Sequence, residues 1–115
     1  MADHSQGMNG LDADVLEALS AVIEARKNAD SKQSYVASLH AKGLNAISGK
    51  ILEEADETVE AAENGDVNQV VYETADLWFH SMVLLSYFDV NHQHVLEELV
   101  RRFGVSGITE KNSRD

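Results

Sequence analysis

Two stretches of helical periodicity separated by three residues constrain this chain more than any other feature. From Ala46 to Glu63 the apolar positions are Ile47, Ile51, Ala55, Val59 and Ala62, the spacing of one face of an α-helix. From Val67 to Phe88 the apolar residues run from Val70 and Val71 through Leu77, Trp78 and Phe79 to Leu85, and they surround nearly the whole circumference. A helix apolar almost all round reads as a central, buried helix. Between them stands Asn64-Gly65-Asp66. Glycine closes a helix in a conformation that strains other residues, and aspartate caps the next one. A turn this short makes the two helices antiparallel neighbours.

The flanking segments are helical as well. Leu11, Val15, Ala18, Leu19, Val22 and Ile23 fall on one face, with Asn9 or Asp12 as the start signal. Asn28 to Gln33 is polar and reads as a turn, and Ser34 to Lys42 as a short helix broken at Gly43. Asn91 caps a last helix carrying Val95, Leu96, Leu99, Val100 and Phe103, and Gly104 ends it. With no proline and no sustained period of two, the expected fold is an all-α bundle of four to five helices spanning residues 11–104. Residues 1–10 are expected to be flexible and residues 105–115 to form a polar tail. A chain of 115 residues is one domain, and one this short leaves much helix surface for a partner to cover.

Charge narrows the function. Twenty acidic residues against nine basic ones, a net charge of −11, leave little to neutralise a phosphate backbone, so no nucleic-acid partner is expected. A nucleotide substrate is still open, because a metal ion can bring the positive charge. The absence of cysteine removes disulfides, a thiolate nucleophile and a Cys-ligated zinc, and fits a cytoplasmic setting. No apolar run of about 18 residues predicts a membrane span, and Met1 to Asn9 does not read as a signal peptide.

The acids carry the chemistry. Glu53 and Glu57 are four apart and share a face, with Glu54 beside them, nearer the apolar stripe. Glu73 and Asp76 are three apart, and with His80 four further on they form one polar stripe on the apolar helix. Glu57 and Glu73 each lie about two turns from the Asn-Gly-Asp turn, so their carboxylates can meet at the same height. Carboxylates within about 6 Å repel by roughly a few kcal/mol per pair at an effective dielectric near 20. Buried without a partner they would take up protons instead. Nearby bases are too few to balance five acids, whereas a divalent cation can. Oxygen donors without cysteine suit Mg²⁺ or Mn²⁺ better than zinc. Lys42, Lys50, Lys111 and Arg114 are the candidate phosphate donors.

Blander readings stand beside these. Glu53, Glu54 and Glu57 alone would pass for a solvated face, but exposure does not excuse Glu73 and Asp76 on an apolar helix. His80 is expected to be packed or to support a ligand rather than to bind metal. His92 and His94, opening the last helix, are expected in solvent. Trp78 and Phe79 are expected in the core or in dimer contacts.

The sequence EEADE (Glu53, Glu54, Glu57) followed by ETAD (Glu73, Asp76) resembles the EExxE…ExxD signature of the MazG-type all-α nucleoside triphosphate pyrophosphohydrolases. SYVASLHAKGLNAI (34–47), VYETADLWFH (71–80) and SGITEKNSR (106–114) narrow the resemblance to the phosphoribosyl-ATP pyrophosphatase branch, over roughly Leu11 to Arg114, nearly the whole chain. That resemblance implies a MazG-like helical bundle completed by homodimerisation. It implies Mg²⁺-dependent attack of water at the α–β linkage of phosphoribosyl-ATP, the second step of histidine biosynthesis, giving phosphoribosyl-AMP and pyrophosphate. Carried over by position, Glu53, Glu54, Glu57, Glu73 and Asp76 are the metal ligands and water-orienting groups, and Lys111 and Arg114 are substrate contacts. Ala46 and Gly49 stand where lysines are common in the family, and Leu52 where glycine is common. Phosphate contacts in that segment are thereby confined to Lys42 and Lys50. The alternative within the superfamily is a housecleaning nucleoside triphosphate pyrophosphatase. A di-iron bundle would need Glu-x-x-His pairs, which are missing, and the intact acid motif weighs against a non-catalytic module.

Overall fold

A computed structural model describes residues 11–103, with side chains from Asp14 onward. They form five helices: α1 (Leu11–Arg26), α2 (Tyr35–Lys42), α3 (Leu44–Glu63), α4 (Val67–Tyr87) and α5 (His92–Arg102). No strand occurs among the described residues. The expected flexible N-terminus and the tail with Lys111 and Arg114 lie outside them. Among the described residues no helix is long and apolar enough to cross a membrane.

The start and stop signals act as their chemistry dictates. Ser34 Oγ accepts from Ala37 N at 3.1 Å and Asp66 Oδ1 from Gln69 N at 3.1 Å, each satisfying a first-turn N–H that has no helical partner. Asn91 and His94 cap α5 reciprocally, the Asn91 N–H donating to His94 Nδ1 at 3.2 Å. Gly43 alone separates α2 from α3, at φ 97°, a backbone region that side chains with a Cβ rarely enter. Gly65, at φ 70°, ends α3 in the same way. Lys27 Nζ donates to the Ser86 carbonyl at 2.9 Å and pairs with Asp89 at 2.7 Å, tying α1 to the end of α4.

The α3–α4 hairpin makes the most extensive helix–helix contact. Ile23 of α1, Val36 and Leu39 of α2, Ile47 of α3, and Met82 and Val83 of α4 form the core, with Leu16, Leu19, Ile51, Phe79 and Leu84 packed against it. Two expectations are corrected. The helix α4 is not enclosed: it buries Met82 and Val83 but leaves Val67 73%, Val71 64% and Trp78 59% exposed. The other helices of one chain cover only one side of the rod, and Trp78 stands outside the core. His92, expected in solvent, is only 7% exposed. The helix α5 folds back beside α1, and its first residue is caught between them, His92 Nε2 lying 3.5 Å from Glu17. His94 is exposed, as expected.

Candidate metal centre

On α3 the buried residues are Ile47, Glu54 and Ala61, spaced by seven, which is two helical turns. Glu54 therefore occupies a core position. On α4, Glu73 and His80 are seven apart and both buried, on the stripe that continues to Val83. Packing the two faces together drives carboxylates into the seam between the helices.

Glu54, Glu57 and Glu73 each bring an oxygen to within 4.8 Å of the others. Glu54 is 4% and Glu73 8% exposed. Glu73 Oε2 accepts from Gln69 Nε2 at 2.8 Å, and Glu54 Oε1 lies 3.6 Å from Lys50 Nζ. The other oxygens, Glu54 Oε2 and Glu73 Oε1, are buried with no hydrogen-bond partner. An orphaned buried carboxylate oxygen costs free energy, and gathering three carboxylates this closely adds like-charge repulsion. The carboxyl of Glu57 is pushed up to about 7, first by desolvation, then by the charges of Glu54 and Glu73 and by hydrogen bonds shared with them. A cation suits this arrangement: all-oxygen donors, two of them unpartnered, with a like-charge strain for it to relieve. The group opens on a cleft of about 380 Å³ lined by Glu57, Glu60, Ala61, Asn64, Gln69 and Glu73.

The other expected residues are placed differently. Glu53 lies outside the three-carboxylate group; its side chain is 53% exposed and 3.3 Å from Lys50 Nζ. Asp76 is half-buried and also outside it, with its carbonyl bonded to His80 Nδ1 at 2.8 Å. Lys42 is exposed at the end of α2. His80 is buried, with both ring nitrogens in hydrogen-bond contact. Gln69 escaped the sequence reading; its signal was position, one turn before Glu73 on the same face. Tyr35, hydrogen-bonded to His80 at 2.7 Å, gave no signal, because only the packing of α2 on α4 joins them.

A pH dependence follows. Below pH 4.5, the ordinary Glu value, Glu57 is protonated folded or unfolded, whereas from there up to about 7 the folded chain holds a proton that the unfolded chain has lost. The stability of the metal-free protein is therefore expected to fall as pH rises through this window. A cation competes with that proton, so its affinity should rise roughly tenfold per pH unit up to about pH 7, with a proton released on binding. Calorimetric Mg²⁺ titrations in two buffers of different ionisation heat would measure both. An affinity flat across the window would remove Glu57 from the site.

Residues 16–103 match the family described as phosphoribosyl-ATP pyrophosphohydrolase. The chain is 51% identical over 102 residues to the phosphoribosyl-ATP pyrophosphatase of Geotalea daltonii, covering 89% of this chain and 96% of that one. It is 50% identical to the protein of the same name from Geobacter metallireducens, over 88% of this chain and 93% of that one. With the one from Pelobacter propionicus it shares 52% identity, over 87% and 93% of the two chains.

Proposed function

Because this chain belongs to the phosphoribosyl-ATP pyrophosphohydrolase family, we propose that it hydrolyses phosphoribosyl-ATP at the α–β linkage, giving phosphoribosyl-AMP and pyrophosphate in histidine biosynthesis. One observation carries the site assignment: buried Glu54 and Glu73 each leave an oxygen unpartnered beside Glu57. In this reading Glu54, Glu57 and Glu73 hold Mg²⁺, with Mn²⁺ as a substitute, and Glu53 and Asp76 complete the donor set. A bound divalent ion supplies positive charge to the phosphate oxygens and lowers the pKa of water. The chain's own groups do the rest. Gln69 holds Glu73 in orientation through its 2.8 Å hydrogen bond. Lys50, within 3.6 Å of Glu54 and 3.3 Å of Glu53, carries a mobile ammonium to the edge of the acids, where a phosphate can take it over. Lys42, Lys111 and Arg114 are further phosphate contacts in this reading. Water adds across the P–O–P bridge: a new P–O bond forms, the bridging bond breaks toward pyrophosphate, and a carboxylate takes the proton.

The proposal includes a homodimer. Leu52 and Val59 on α3, 69% and 57% exposed, and Val67, Val71 and Trp78 on α4 form apolar stripes that a monomer leaves in water. A second copy covering them enlarges a thin core. The proposed setting is the cytoplasm, in keeping with a biosynthetic enzyme without cysteine.

The test is pyrophosphate release from phosphoribosyl-ATP, ATP and dCTP, each with Mg²⁺, in the native protein and in Glu57→Gln. The expected result is release from phosphoribosyl-ATP, abolished by EDTA and reduced at least about a hundredfold by the substitution. Release mainly from ordinary triphosphates would select the housecleaning activity at the same site. No release from a folded protein would overturn the enzyme reading.

A further inference from the structure

His80 and Tyr35 take no part in the chemistry above, yet both nitrogens of the buried His80 ring are engaged. Nδ1 lies 2.8 Å from the carbonyl oxygen of Asp76, which can only accept, so Nδ1 carries the hydrogen. In the neutral ring Nε2 is then the acceptor, and the Tyr35 hydroxyl donates to it at 2.7 Å. The imidazole is a strut from the turn of α4 that bears Asp76 to the first residue of α2. Tyr35 also stacks on Phe79, with ring centroids 6.3 Å apart and planes 18° from parallel. Held by its hydroxyl and by Phe79, Tyr35 nonetheless stays 50% exposed. An aromatic ring fixed at two points and open to water is already organised to receive a flat partner.

Its location gives that ring a purpose. Along α4 the stripe runs Glu73, Asp76, His80; along α3 it runs Glu57, Glu54, Lys50. The helices are antiparallel, so the two stripes proceed together from the three carboxylates at the Asn-Gly-Asp end to Lys50 and His80 at the other. Tyr35 stands at that second end. Desolvation is the largest influence raising its hydroxyl pKa, and the charges of Lys50, Glu54, Glu53 and Asp76 all reach it. A cation site, then an ammonium group, then an exposed aromatic face follow the order of metal-bound phosphate, further phosphate and heterocycle in a nucleotide.

We propose that Tyr35 grips the purine ring of the nucleotide by stacking, and that His80 is the positioning residue that aims it. This rests on the hydrolase reading and adds to it the group that recognises the base. The probes are α,β-methylene-ATP, which carries a purine, and inorganic tripolyphosphate, which does not. Binding of each to the full-length protein with Mg²⁺ is measured by calorimetry for the native chain, Tyr35→Leu, Tyr35→Phe and His80→Gln. Tyr35→Leu is expected to weaken α,β-methylene-ATP about tenfold or more, and Tyr35→Phe, which keeps the ring, by no more than about threefold. His80→Gln should fall in the same range as Tyr35→Phe, since each keeps the ring at 35 and breaks the hydroxyl–imidazole hydrogen bond that aims it. Tripolyphosphate should stay within about twofold of the native value throughout, which a folding or metal-site defect would not allow. Equal losses on both probes, or undiminished nucleotide binding by Tyr35→Leu, would overturn the assignment. Failure of the native protein to release pyrophosphate from phosphoribosyl-ATP while these ratios hold would sink the hydrolase reading alone.

Discussion

Glu73→Gln is expected to lower kcat/KM about a thousandfold or more, roughly 4 kcal/mol of transition-state stabilisation, while making the metal-free protein more stable. The amide nearly preserves shape and can still meet Gln69, but it removes the charge that a hard cation needs. It also removes one of three carboxylates gathered within 4.8 Å. At that separation a pair of full charges repels by about 3 kcal/mol at an effective dielectric of 20. Sharing of a proton with Glu57, whose carboxyl sits at about 7, already relieves part of this near neutral pH. A net gain of about 1 kcal/mol, or some 5 °C in Tm, is therefore expected for the variant in EDTA. Mg²⁺ should raise the native Tm by mass action and leave that of the variant nearly unmoved. Thermal unfolding with and without EDTA, beside steady-state kinetics, checks all of this. Native activity in the variant would remove Glu73 from the site, and a lower Tm in EDTA would contradict the like-charge strain.

The second large effect is on folding. Ile47 is 0% exposed and packed in the core shared by α1, α2 and α4. Ile47→Ala removes buried methyl and methylene groups and leaves a cavity, costing about 3–4 kcal/mol of the roughly 5–15 kcal/mol a domain has. A Tm loss of roughly 12–32 °C follows at some 4–8 °C per kcal/mol. Leu52, five residues further along the same helix, is 69% exposed. Leu52→Ala is expected to cost the isolated fold less than about 0.5 kcal/mol but to weaken the proposed self-association, so that light scattering detects a larger monomer fraction than for the native chain at the same protein concentration. Urea unfolding separates the two: Ile47→Ala shifts the midpoint at every protein concentration, and Leu52→Ala only where association contributes. A Leu52→Ala protein as dimeric as the native one would move the proposed interface away from this face.

The placement of the five acids shows how far local rules reach. The spacing of Glu57 and Glu73 about the Asn64-Gly65-Asp66 turn put their carboxylates at one height, and an oxygen of each lies within 4.8 Å of the other. Glu54, read from the sequence as the acid nearer the apolar stripe, is the buried one, and Glu53, about 100° of rotation away, is exposed. How deeply Glu54 is buried was left to what packs on the heptad face of Ile47, Glu54 and Ala61. His92 failed the sequence expectation for the same reason, since at the first turn of α5 no periodicity says which side meets α1.

The sequence by itself determined the succession of helices, the caps at Asp66 and Asn91, the breaks at Gly43 and Gly65, and the α3–α4 hairpin. All of these depend on residues within about a turn of one another, where hydrogen bonding and backbone sterics are local. Only the tertiary structure decided that Glu54 and Glu73 are buried with unpartnered oxygens, that Tyr35 meets His80 across 45 residues of chain, and that Trp78 is left in water. Burial is a property of what packs on a face, and a helical repeat fixes the angles between side chains on one rod without fixing which angle faces a neighbour.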